Sequence, residues 1–158
     1  MLKDIFIDNG IAKNFSNPLD PSYKRLVTWL MKYDRNKAKG DNAHLVWSNK
    51  LLREYYATAA NARSNTNIVA IVAKLTGEGR FIKISNKQIK EFKRKHFKKH
   101  LVIRFRCNTG DRDHIPTILL SDRKYALIRD HDFIHDIINF PGFLARAAAR
   151  PEDLPYEA

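Results

Sequence analysis

Short apolar runs alternate with segments of helical periodicity along most of this chain. The first run, "DIFID" (Asp4 to Asp8), is rich in Ile, is bounded by carboxylates and leads into Asn9-Gly10, so it reads as a buried strand. In "SNPLDPSYKRLVTWLMKYD", Pro18 and Pro21 punctuate the entry, Asp20 or Ser22 is placed to cap, and Leu26, Val27, Leu30 and Met31 form a helical stripe. "RNKAKGDNA" has loop composition, and "HLVWS" (His44 to Ser48) reads as a second strand. Ser48 then caps a helix through "NKLLREYYATAANA", with Leu51, Leu52, Tyr55 and Ala59 inward. "TNIVAIVAKLTGEG" reads as a helix closed by Gly77 and Gly79.

The second half continues the alternation. "RFIKIS" predicts a third strand, and Ser85 or Asn86 caps a helix over "KQIKEFKRKHFKKH". "LVIRFRC" fits either a strand or an irregular return segment. "HIPTILLS" predicts a helix, "DRK" a turn and "YALIRD" a strand, and "ARAAARPEDLPYEA" predicts a last helix that frays after Pro151. Strands alternating with helices require crossover connections, which gives an α/β fold with a central, mainly parallel sheet flanked by helices. The expected organisation is one domain over residues 1–140 and a helical tail over 141–158. A chain of 158 residues is long enough for one such core.

Charge changes the picture. The formal net charge is +12, which favours a polyanionic partner such as nucleic acid or an anionic membrane surface. The excess concentrates in "KQIKEFKRKHFKKHLVIRFR". There Lys87, Lys90, Lys93, Arg94, Lys95, Lys98, Lys99, Arg104 and Arg106 face the single acid Glu91, with Ile89, Phe92 and Phe97 as apolar anchors. This one-sidedness points to phosphate contacts with RNA, against the alternative of a solvated helix. Its narrow apolar face argues against a membrane-surface helix, and no apolar run approaches membrane-span length. Cys107 is the only cysteine, so no intrachain disulfide forms. With no apolar leader at the N-terminus, the expected location is a reducing cytoplasm.

Against that charge, the scarce acids cluster. "GDRDHIPTILLSDRKYALIRDHDF" holds Asp111, Asp113, Asp122, Asp130 and Asp132. Ligands of open α/β sheets bind beyond the carboxyl ends of the strands, and both Asp8 and Asp130 fall at such ends. Asp111 and Asp113 start the intervening helix, and Glu54 lies one turn into the helix after the second strand. Taken singly, each acid reads more readily as a cap or turn residue, and Glu54 as a solvated helix residue, than as a ligand. Gathered together, carboxylates repel unless a cation neutralises them, and hard oxygen ligands suit Mg²⁺ or Mn²⁺. A metal so held activates water and stabilises charge on a phosphodiester. His131 and His135, beside Asp132 and Asp136, have the spacing of a transition-metal pair, but a lone pair is usually incidental. Nucleophile-elbow, P-loop and dinucleotide fingerprints are missing from the sequence.

Three stretches resemble a PIN domain, the small α/β nuclease fold of VapC-type toxins and many RNA-processing enzymes. "IFIDNGIAKNFSNP" is similar to the family's first strand with its leading Asp. "HLVWSNKLLREYY" is similar to the strand, Ser and helix that deliver a Glu. "DRDHIPTILLSDRKYALIRDHDF" is similar to the acidic helix and the strand ending in Asp-x-Asp-Phe. Pro116 and the bulky "ILL" depart from the family's pattern of good helix formers and small residues. The resemblance implies a Mg²⁺- or Mn²⁺-dependent endoribonuclease with Asp8, Glu54, Asp113 or Asp111, and Asp130 as metal-binding acids, and Asp132 as a secondary one. Asp113 is preferred as the third acid because it leaves Ile115, Ile118 and Leu119 inward, whereas Asp111 better matches a common spacing to the last Asp. RNA is the implied substrate, and the implied protein partners are an antitoxin and a second copy in a homodimer. The rival reading is an RNA-binding protein that keeps the fold without cleaving.

Overall fold

A computed structural model describes residues 1–15, 19–60 and 67–158. Pro18, Asn61, Ala62 and Thr66, where the sequence places helix entries and exits, lie outside these residues. Five strands form one sheet: β1 (Lys3–Ile7), β2 (Ala43–Trp47), β3 (Phe81–Lys83), β4 (Tyr125–Leu127) and β5 (Arg146–Ala148). Every neighbouring pair is parallel, and the order is β3-β2-β1-β4-β5. The helices are α1 (Asn9–Ala12), α2 (Pro21–Met31), α3 (Asn49–Ala60), α4 (Ile68–Gly77), α5 (Asn86–His96), α6 (Lys99–Val102), α7 (Thr109–Arg112), α8 (Ile115–Leu119) and α9 (His131–Ile138). The α/β class and the parallel sheet flanked by helices match the alternation of patterns in the sequence.

The strand runs are apolar on both faces because helices cover the sheet. Ile5, Phe6, Ile7, Leu45, Val46, Ala126 and Leu127 are all fully buried. Helix starts follow local chemistry. Asp20 accepts from the Ser22 and Tyr23 amides to open α2, and Ser48 Oγ accepts from Leu51 N at 3.2 Å. Ser85 and Gln88 form a reciprocal capping box on α5.

Four expectations change. The segment "ARAAAR" forms β5, a parallel edge strand on β4, in place of a helix. Alanine favours helix locally, but the open edge of β4 offers ladder partners, with Ile128 N donating to Ala148 O at 2.9 Å. Leu154 and Tyr156 are also core residues, so residues 141–158 belong to the same sheet and core as the rest and form no separate tail. The basic segment is broken as well. It stops at His96, Phe97 leaves the axis, and α6 restarts at Lys99. Phe97 instead meets Phe105 at 5.3 Å, Phe140 at 6.0 Å and Phe92 at 6.2 Å between ring centroids. "LVIRFRC" accordingly holds the end of α6 and turns, with no strand. Finally, Asp111 and Asp113 do not open the "HIPTILLS" helix. Asp111 belongs to a separate short helix, α7, capped at its start by Asn108, and Asp113 is the C-cap of that helix.

Candidate active site

Strand order alone marks one place on this sheet. From β1 the chain builds outward through β2 to β3, then crosses to the other side of β1 for β4 and β5. The order reverses between β1 and β4, and a crevice opens at the carboxyl ends of strands at such a switch point. Asp8 follows β1 directly there. Its N–H donates to Leu127 O at 3.0 Å, and its C=O accepts from Ile11 N at 2.9 Å and Ala12 N at 3.0 Å. With its backbone engaged on both sides, Asp8 spends no side-chain oxygen on capping α1.

Asp130 follows β4. One oxygen, Oδ1, caps α9 by accepting from Asp132 N at 2.8 Å and Phe133 N at 3.0 Å. The capping reading of Asp130 is therefore correct as far as it goes, and Oδ2 has no part in it. Asp8, Asp111, Asp130 and Asp132 line one cleft of about 610 Å³, together with Gly10, Arg129 and His131. Arg129 is exposed and has no ion pair among the described residues.

The cleft carries the electrostatic mark of crowded acids. Burial pushes the Asp8 carboxyl up from 3.8 to about 6, and Asp111 and Glu54 add to the rise against the opposing His114 imidazole and Asn9 N–H. Asp111 is raised in the same way, first by burial, then by Asp130 and Glu54, with His114 and Lys50 opposing. These mutual effects place Asp8, Glu54, Asp111 and Asp130 in one electrostatic neighbourhood.

Glu54 reaches it from α3. The next residue, Tyr55, is fully buried and donates its hydroxyl to Ile7 O, so α3 is latched to the end of β1 one residue before Asp8. The Glu54 carboxylate is in turn held by His114, whose Nε2 lies 2.9 Å from each of its oxygens.

Asp113, the preferred third acid in the sequence, sits elsewhere. It pairs with Lys93 and with Lys50, the latter at 2.9 Å. Burial alone would raise its carboxyl, yet the two lysines hold it below the ordinary value. Asp113 therefore forms an ion bridge between α5 and α3 on the rim, and Asp111 takes the cleft position. The geometric reason is that two residues two apart in a helical turn point to nearly opposite sides, and both acids fall within or at the end of α7. Asp122, the fifth acid of that stretch, accepts from Leu2 N at 2.6 Å. Asp4, at the start of β1, accepts from the Asp122 and Arg123 amides at 2.8 Å each. These last two tie down the opposite end of the sheet.

The basic residues divide too. Lys93 bridges to Asp113, Arg94 pairs with Glu91 at 2.6 Å and Lys95 lies 3.7 Å from Glu91. Lys87, Lys90, Lys98, Lys99, Arg104 and Arg106 are exposed, with no side-chain ion pair among the described residues. His131 lines the cleft, whereas His135 contacts the buried Asp136, so the pair does not act together. Asp136 accepts from Arg106 N and Cys107 N and anchors the loop before α7.

The donor set suits a hard divalent cation in kind, being carboxylate oxygen throughout. Among the described residues, no three His, Cys, Asp or Glu side chains converge on one point closely enough to enclose an ion. Reading the sequence missed His114, Lys50 and Arg129. The only sequence signal was nearness to acids already singled out: His114 follows Asp113, Arg129 precedes Asp130, and Lys50 lies four residues before Glu54. Among the described residues no helix is long and apolar enough to cross a membrane. No protein-family model matches the chain, and neither curated proteins nor solved structures give a match.

Proposed function

We propose that the protein is a metal-dependent endoribonuclease that hydrolyses RNA phosphodiester bonds at the carboxylate-lined cleft. The observation that carries this reading is the gathering of Asp8, Asp111, Asp130 and Asp132 on one cleft, in a chain of net charge +12. A basic protein with a polyanionic ligand has no electrostatic use for such a cleft unless cations neutralise it. The PIN-like order of the acids supports the hydrolytic class.

Asp8, Glu54, Asp111 and Asp130 would hold Mg²⁺ or Mn²⁺, with Asp132 as a secondary acid. Mg²⁺ keeps several waters and takes only one or two carboxylates directly, so the cleft need not enclose it. Such an ion would neutralise the phosphodiester and lower the pKa of a bound water. The chemistry adds water across a P–O bond: the water oxygen bonds to phosphorus, and the bridging oxygen leaves and gains a proton. An ionised carboxylate of the cleft is the group placed to take the proton that the water loses. Lys87, Lys90, Lys98, Lys99, Arg104 and Arg106 supply sequence-independent grip on the RNA backbone. An RNA-processing nuclease and the toxin of a toxin–antitoxin pair both fall within this reading. The protein contacts it implies are a small neutralising partner and a homodimer.

Two observations favour a second reading, an RNA-binding protein without cleavage. Glu54 is engaged by His114, and the donors do not converge.

Cleavage of mixed fluorescent RNA and single-stranded DNA, with Mn²⁺, Mg²⁺ or EDTA, separates the two. Metal-dependent RNA cutting that Asp8→Asn abolishes is the expected result. Tight, salt-sensitive binding with no cutting, equal in parent and variant, would establish the binding protein instead.

A further inference from the structure

We propose that His114 is a positioning residue that holds Glu54 beside the acids of the cleft, an inference that rests on the nuclease reading. The imidazole is fully buried and tilts against Phe6 at 5.6 Å between ring centroids. An ionised carboxylate only accepts, so Nε2 carries the proton that is shared between the two Glu54 oxygens. That assignment leaves Nδ1 buried and, among the described residues, without a hydrogen-bond partner. An orphaned buried ring nitrogen is unfavourable. An apolar side chain of similar size would fill this space without that penalty, so burial does not account for a histidine here. What the histidine adds is a fixed direction for Glu54.

The arrangement is rigid on both sides. His114 lies between Asp113, tied to Lys50 and Lys93, and the fully buried Ile115. Glu54 precedes Tyr55, latched to Ile7 O. With the helix and the ring both fixed, both carboxylate oxygens stay on His114 Nε2, close enough to Asp8 and Asp111 for its charge to raise their carboxyl groups. Partners of this kind, one bond removed from the acid that meets the ion, orient ligands and typically change metal affinity 10- to 100-fold when lost.

The test uses the full chain and two readouts. In a long-range ¹H–¹⁵N spectrum of the histidines, His114 is expected as the Nε2–H tautomer, with an exchange-protected proton whose resonance shifts in Glu54→Gln. The Nδ1–H tautomer, or a resonance indifferent to Glu54→Gln, overturns the proposal. Mn²⁺ binding is then titrated by electron paramagnetic resonance for the parent, Glu54→Gln, His114→Leu, His114→Gln and the Glu54→Gln/His114→Leu double variant. His114→Leu should weaken Mn²⁺ about 10- to 100-fold, add little to Glu54→Gln, and be largely rescued in His114→Gln, which keeps an N–H at the position of Nε2. Parent-like Mn²⁺ affinity in His114→Leu, or fully additive losses in the double variant, overturns it. If His114→Leu fails to fold, the spectrum and the Gln variant decide. A parent that binds no Mn²⁺ overturns the metal reading beneath the proposal, which the spectrum distinguishes from failure of the His114–Glu54 contact.

Discussion

Asp8 shows how one side chain can work against the fold that displays it. Its carboxyl lies near 6 in the folded protein against an ordinary 3.8, through burial first, then Asp111 and Glu54, with His114 and the Asn9 N–H opposing. Between those values the folded state binds more protons than the unfolded one, so stability falls as pH rises through roughly 4 to 6 and stays low above it. Asp111 is raised too and acts in the same direction. Asp8→Asn should therefore stabilise the metal-free protein at pH 7.5 by about 1–3 kcal/mol, a gain of a few degrees in Tm, and should bring almost no gain at pH 4. Thermal melts at the two pH values check this, and equal gains at both would refute it. Adding Mn²⁺ should raise the Tm of the parent and leave the variant unmoved.

The two neighbouring acids separate at the same scale. Asp111→Asn should lower cleavage at least tenfold. Asp113→Asn should cost less than about 1 kcal/mol of stability, as expected of a partly exposed ion bridge, with kcat nearly unchanged. Single-turnover RNA cleavage ranks them, and the reverse order would return Asp113 to the site. Cys107 sits 5% exposed beside Asp136, and burial first, then the Asp136 carboxylate, pushes its thiol up to about 12. A thiol so placed has no nucleophilic role.

At the scale of elements, the basic segment works as a platform seated on an aromatic cluster. Phe92, Phe97, Phe105, Phe140 and Phe143 hold α5 and α6 against the end of α9, with Phe92 5.8 Å from Phe140 and 5.4 Å from Phe143 between ring centroids. The Lys93–Asp113–Lys50 bridge ties α5 to the wall of the cleft. Replacing Lys87, Lys90, Lys98 and Lys99 together with Ala should weaken RNA binding for all sequences alike. The slope of log affinity against log salt should fall by about one per lost phosphate contact. Cleavage at saturating RNA should stay near that of the parent. Filter binding across a salt series reads the slope, and an unchanged slope would reduce these lysines to a solvated surface. The break at Phe97 was hidden in the sequence because charge runs straight through it, while the aromatic partners lie far along the chain.

The described residues form one sheet over one core, and the last strand comes from the segment that looks most helical in isolation. Truncation after residue 140 removes β5, Leu154 and Tyr156 from that core and bares the edge of β4. The truncated chain should fail to unfold cooperatively in circular dichroism, and a sharp transition near the Tm of the parent would contradict this account. Buried Arg80 is a second long-range tie. It donates to Leu30 O at 2.7 Å, Ala43 O at 3.0 Å and Glu78 at 2.6 Å, joining α2, β2 and the turn after α4.

Local pattern alone placed the first four strands and the cap at Ser48, and narrowed the other two caps to Asp20 or Ser22 and Ser85 or Asn86, because apolar runs and capping chemistry act over a few residues. It also put Asp8 and Asp130 at strand ends, which a parallel sheet must bring to one edge. Only the tertiary structure decided that Ala147 lies in a strand, that Asp111 rather than Asp113 faces the cleft, and that His114 holds Glu54. Each of these depends on a partner distant in sequence: the open edge of β4, the lysines of α3 and α5, and a carboxylate 60 residues away. Propensity and periodicity carry no information about such partners, since packing energy is set by which surfaces meet.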